Sequence, residues 1–129
     1  MNTKMGNKIE NILKMSEKER YDYFIRKVAD FEQIWGLNDE GWALLGDNDG
    51  NRILPLWPEK EFAELCAVDQ WKDHKAEVIE LDNFIEKWVP GMTNDKTLIN
   101  VFLTPNTKGT VISPDDLNSD LQEELEQYE

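Results

Sequence analysis

One cysteine, one histidine and three serines are all that this chain of 129 residues offers to nucleophilic or soft-metal chemistry. Cys66 on its own can form no internal disulfide, and no Cys/His cluster exists for zinc. No G-x-S-x-G elbow surrounds Ser16, Ser113 or Ser119, which argues against a serine triad. The seven glycines, at 6, 36, 41, 46, 50, 91 and 109, form neither G-x-G-x-x-G nor G-x-x-x-x-G-K, so both nucleotide cradles are missing. The longest apolar run, Ile53 to Trp57, falls far short of the ~18–20 residues of a spanning helix. Met1 to Met15 mixes Lys, Asn and Glu with single apolar residues and lacks the apolar centre of a secretory signal. The expectation is a cytoplasmic protein with no membrane segment, no metal and no cofactor.

Basic residues are scarce too. Fourteen Lys/Arg face 27 Asp/Glu, a formal net charge of −13. Residues 1–30 hold seven bases and five acids, whereas residues 31–129 hold seven and 22, a balance of −15. Such a field repels phosphate backbones and excludes nucleic acid as the natural partner, while it attracts a basic surface. The plainer reading is that the acid keeps the protein soluble.

What is present suffices for one folded domain. Hydrophobic residues make up 40 % and five are tryptophan, which excludes disorder as the state of the whole chain. A chain of this length hides roughly two thirds of its unfolded surface. No repeat or low-complexity linker divides it, so a frayed N-terminus over 1–6 and a single domain over 7–129 are expected.

Ile9, Ile12 and Leu13 predict a short amphipathic helix ending near Met15. Ser16-Glu17-Lys18-Glu19 is a capping box, and the helix it starts carries Tyr21, Phe24, Ile25, Val28 and Phe31 as a core-facing stripe. Strands follow over Gln33–Leu37, Trp42–Leu45 and Arg52–Leu56, the last two joined by the turn Asp47-Asn48-Asp49-Gly50-Asn51. Pro55 must meet an edge or a bulge. Trp57-Pro58-Glu59 opens a helix with Phe62, Leu65 and Cys66 on one face. Val78–Leu81 reads as a strand, and Asp82 as the cap of a helix bearing Phe84, Ile85 and Trp88 that stops at Pro90-Gly91. Thr97–Leu103 is the next strand. Ser113-Pro114-Asp115-Asp116 caps a last helix with Leu117, Leu121, Leu125 and Tyr128 in one stripe and seven acids elsewhere. The fold class is α+β: a mainly antiparallel sheet of about four to five strands packed with about four helices.

Candidate chemistry is sparse. His74 must carry any histidine mechanism, and a Cys66–His74 pair would be its nucleophilic form. Against that, Cys66 falls on an apolar stripe, where a thiol is a small buried hydrophobe. The Asp47–Asn51 loop invites a calcium reading, but an EF-hand glycine and glutamate would fall on Arg52 and Pro58, so a hairpin turn is the better account. No pair of carboxylates can be singled out among 27 acids. Trp35, Trp42, Trp57 and Trp88 flank Gly or Pro at element ends, where indoles seal the rim of a core or form binding hot spots. Trp57 is read as structural first. Candidate partner-binding residues are Trp42, Trp57 and Trp88, with Asp120, Glu123, Glu124 and Glu126 projecting freely from the last helix. Catalytic residues are none.

Ile34-Trp35-Gly36-Leu37, Glu40-Gly41-Trp42, Leu54-Pro55-Leu56-Trp57-Pro58 with Phe62-Ala63, Leu81-Asp82-Asn83-Phe84, Trp88-Val89-Pro90, Val101-Phe102 and Pro114-Asp115-Asp116-Leu117 together resemble the bacterial family known as domain of unknown function 2750. The resemblance spans roughly residues 20–125, with Leu-Pro-Leu-Trp-Pro its most specific part. It implies a stand-alone cytoplasmic bacterial domain and transfers no catalytic residue. Two functions remain in view. One is a non-enzymatic interaction protein, immunity- or antagonist-like, that covers a basic protein partner. The alternative is a sensor or enzyme with a carboxylate and tryptophan pocket between sheet and helices.

Overall fold

A computed structural model describes residues 3–127. Its first helix, α1 (Thr3–Leu13), begins inside the segment expected to be frayed; residues 1 and 2 lie outside the described residues. Ile12 of α1 is buried in the core, and Lys8 donates hydrogen bonds to Glu59 and Glu61, which ties the helix down. Ser16 then caps α2 (Glu17–Phe31). Its hydroxyl accepts the Glu19 N–H, and the Glu19 carboxylate accepts the Ser16 N–H. Two exposed amides are thereby satisfied, the condition for a helix to start in water. Phe24, Ile25 and Val28 are buried as the stripe requires, but Phe31 is 56 % exposed. The helix ends there, and the chain turns through Glu32 in the left-handed region (φ 57°), which leaves the Phe31 ring outside the packed layer under the Lys27 ammonium.

Among the described residues six strands form two sheets. β1 (Gln33–Asn38) pairs antiparallel with β4 (Lys75–Glu80). The second sheet runs β2 (Leu45–Gly46), β3 (Arg52–Leu56), β5 (Leu98–Val101), β6 (Thr110–Ile112). Trp35 and Trp57 exchange both backbone hydrogen bonds and join the sheets. All ladders are antiparallel except β3 with β5, which is parallel. Pro55 lies beyond the end of β2, which reaches only Arg52 and Ile53, so its missing N–H breaks no ladder on that side.

Several boundaries differ from expectation. The strand predicted over Trp42–Leu45 shrinks to Leu45–Gly46, because a tight turn at 38–42 folds Trp42 back over β1. Gly36 makes that possible: a Cβ there would stand 2.9 Å from the Trp42 ring. α3 (Lys60–Leu65) starts two residues past Pro58, with Glu59 as its cap residue. β4 extends over Lys75–Glu80 rather than Val78–Leu81. The helix expected to stop at Pro90-Gly91 runs on over 81–95. Its middle, Phe84–Trp88, is a π segment in which the Val89 N–H reaches back to the Phe84 carbonyl. Shifting the ladder by one residue just before Pro90 lets the missing N–H be absorbed inside the helix. Asp82 lies in the first turn, and the cap position is Glu80, whose side chain makes no cap bond.

β5 stops at Val101 because Phe102 adopts a left-handed backbone (φ 61°). Its ring is wholly buried, 5.1 Å from Phe62 and 6.0 Å from Tyr23 by ring centres, and that packing holds the strained residue. β6 (Thr110–Ile112) is a strand that the sequence pattern does not announce. The last helix (Pro114–Glu126) is capped by Ser113, whose hydroxyl accepts the Asp116 N–H, and it buries Leu117 and Leu121; Tyr128 lies outside the described residues. Arg20, only 3 % exposed, donates to the carbonyls of Met15, Phe102 and Lys108 and ties the α1–α2 turn to both ends of the β5–β6 connection. No described helix is long and apolar enough to cross a membrane.

Candidate functional site

α2 and the last helix pack side by side, and a recess of about 310 Å³ opens between them. From α2 come Tyr21, Asp22 and Arg26; from the last helix come Asp120, Glu123, Glu124 and Gln127. Helical spacing explains the grouping. Residues 22 and 26, like 120, 123, 124 and 127, are three or four apart and therefore share a face. The leucine stripe at 117 and 121 points that helix inward, which leaves the acids along the seam.

Tyr21 lies at the junction. Its hydroxyl donates to Asp120, so Asp120 is half-buried and held, not free to project as the sequence led us to expect. Burial first, then this hydrogen bond, then the charges of Asp116 and Asp22 push the Tyr21 phenol well above its ordinary range. The phenol therefore stays protonated and acts as a donor. Four carboxylates and one guanidinium line the recess, which gives it a strongly negative field with one apolar wall.

Three of the four predicted acids meet here: Asp120, Glu123 and Glu124. Glu126 is exposed and lies outside the lining. The tryptophans are elsewhere. Trp57 is completely buried, its indole N–H donating to the Leu103 carbonyl at 2.9 Å, so it offers no surface to a partner. Trp42 and Trp88 are half-buried and meet edge to face at 4.9 Å, which seals the rim between the 38–42 turn and helix 81–95. Tyr21, Asp22 and Arg26 were missed as site residues. Tyr21 falls on the core stripe by its spacing, and only its hydroxyl marks it as a residue that needs a polar partner.

No hydrogen bond joins Cys66 to His74 among the described residues. The Cys66 thiol is buried and directed at the Leu103 carbonyl at 3.6 Å. Burial pushes its pKa up to about 12. At neutral pH it is a thiol, not a nucleophile. Asp47 uses its carboxylate to accept from the Asp49 and Asn51 N–H groups and the Asn51 amide, closing the hairpin; the Asn51 bonds hold it below its ordinary range. No group of three or more His, Cys, Asp and Glu side chains is placed to hold a metal among the described residues.

A family model described as a protein of unknown function, DUF2750, matches residues 21–121. No curated protein and no solved structure matches the chain.

Proposed function

Because the chain belongs to the DUF2750 family, a description that names no activity, we propose from its own geometry that it is a non-enzymatic protein-interaction module. Its groove between α2 and the last helix would receive a basic side chain of a protein partner, in the manner of an immunity or antagonist protein. The observation that carries this reading is the convergence of Asp22, Asp120, Glu123 and Glu124 on one recess, with Arg26 the one base in its lining. An incoming Lys or Arg would stack its stem on Tyr21 and place its charge among carboxylates. The net charge of −13 would speed encounter from a distance. The proposed setting is the bacterial cytoplasm, which rests on the family resemblance and the single unpaired thiol.

The test begins with partners retained from the native cell at low salt, each then measured singly by stopped-flow association. The on-rate should fall about tenfold or more between low and physiological salt. Glu123→Gln with Glu124→Gln should slow it further, whereas Glu126→Gln, outside the groove, should change it little. A partner indifferent to salt and to the groove changes would refute the reading and leave the acid as a solubility device.

A further inference from the structure

A second recess, of about 330 Å³, shares no residue with the groove. It opens beside the segment that leaves the carboxyl end of β5, the strand that pairs in parallel with β3. In sheets with parallel strands that is where the connecting loops diverge and leave a crevice. One wall is the segment Val68 to Trp71, and the other is Leu103 to Pro105, which follows β5.

Both walls are unusual. Asp69 adopts a left-handed backbone (φ 53°), and so does Phe102, next to Leu103. Three other non-glycine residues, Glu32, Glu40 and Lys96, share this backbone elsewhere, and Phe102 is held in it by the burial of its ring, so the two residues fix the course of the walls. The second wall is fixed from behind: the Leu103 carbonyl accepts the Trp57 indole N–H at 2.9 Å and the Cys66 thiol at 3.6 Å. Trp71 is braced edge to face against Trp57 at 6.4 Å, and Val68 stands 46 % exposed at the mouth. Asp69 contributes the one charged side chain in the lining, and it stands exposed at the mouth, where its carboxylate faces solvent. A recess of mixed polarity, with Gln70 and Thr104 beside an apolar side of Val68, Trp71 and Leu103 and one carboxylate at its mouth, inside a molecule of net charge −13, suits a cation with a hydrocarbon body.

We propose that this recess binds a small organic ammonium, its apolar body against Trp71, Leu103 and Val68 and its nitrogen on Asp69. The proposal is independent of the groove between the helices and of any protein partner.

The test titrates the full chain at 150 mM salt with three matched probes: cyclohexylammonium, cyclohexanol and cyclohexanecarboxylate. The readout is two-dimensional NMR of the backbone amides and the indole N–H groups. Cyclohexylammonium should give saturable shifts at Asp69, Gln70, the Trp71 indole and Leu103, with an affinity at least about tenfold above that of cyclohexanol. The carboxylate should give none. Asp69→Asn removes the charge and keeps a residue that tolerates a left-handed backbone, so the variant should fold and bind the ammonium no better than the alcohol. Equal affinity for alcohol and ammonium, shifts that persist in the variant, or a linear response without saturation would each overturn the proposal. Ammonium shifts confined to residues 120–127 would also overturn it, since the cation would then belong to the acidic groove.

Discussion

Removing the Trp57 side chain tests the packing argument most directly. The indole is fully buried, donates to the Leu103 carbonyl and braces Trp71, while its backbone joins the two sheets through Trp35. Trp57→Ala leaves the backbone bridge in place, deletes the ring and opens a cavity, which costs roughly 3–5 kcal/mol. For a chain of this size one kcal/mol lowers Tm by about 3–5 °C, so a fall of roughly 10–20 °C is expected. Trp57→Phe separates two contributions. It keeps most of the aromatic volume but withdraws the N–H from Leu103, for a loss of about 1–3 kcal/mol. Urea unfolding followed by far-ultraviolet circular dichroism gives both numbers, and an unchanged m-value shows that the folded state is still compact. The double change Trp57→Ala with Trp71→Ala should cost less than the sum of the single changes, because the second ring loses its brace in either case. The reasoning is refuted if Trp57→Ala lowers stability by less than about 1 kcal/mol, the scale of a surface change.

Arg20→Met should cost about 3 kcal/mol or more, since three carbonyls in two loops lose a charged donor, and hydrogen exchange should rise first at residues 102–109. Gly109→Ala should prevent stable folding, because a Cβ would lie 2.0 Å from Asn100 Oδ1 and 2.5 Å from the Val101 carbonyl; a normal melt would show that the β5–β6 connection is looser than described. The Cys66 thiol should react with a disulfide reagent at pH 8 only after denaturation, and fast native reaction would contradict its burial. Its folded pKa of about 12 lies above the unfolded value of 9.0, so its contribution to stability is complete below about pH 9 and is lost as pH rises toward 12. Cys66→Ala should flatten that alkaline slope in melts taken across the window.

The features legible in the sequence are those whose physics acts within a few residues. Ser16 with Glu19, and Ser113 with Asp116, satisfy their own helix ends, so these two helices begin where the motifs put them. The Asp47–Asn51 turn closes on the Asp47 carboxylate, which made the following strand, Arg52–Leu56, readable to the residue. The family resemblance rested on such local words, and the match over residues 21–121 agrees with it. Tertiary structure decided the rest, because the partners there are far apart in the chain. Tyr21 and Asp120 are 99 residues apart, so the groove exists only once α2 and the last helix pack. Pro90 should end a helix on local rules, yet a π segment between buried Phe84 and Val89 carries the helix past it. Phe102 should continue a strand, yet its ring is worth more between Tyr23 and Phe62 than its backbone is in the extended region. Long-range burial of a few kcal/mol per large side chain outweighs local preferences of about one, and it enters only when the chain has closed on itself.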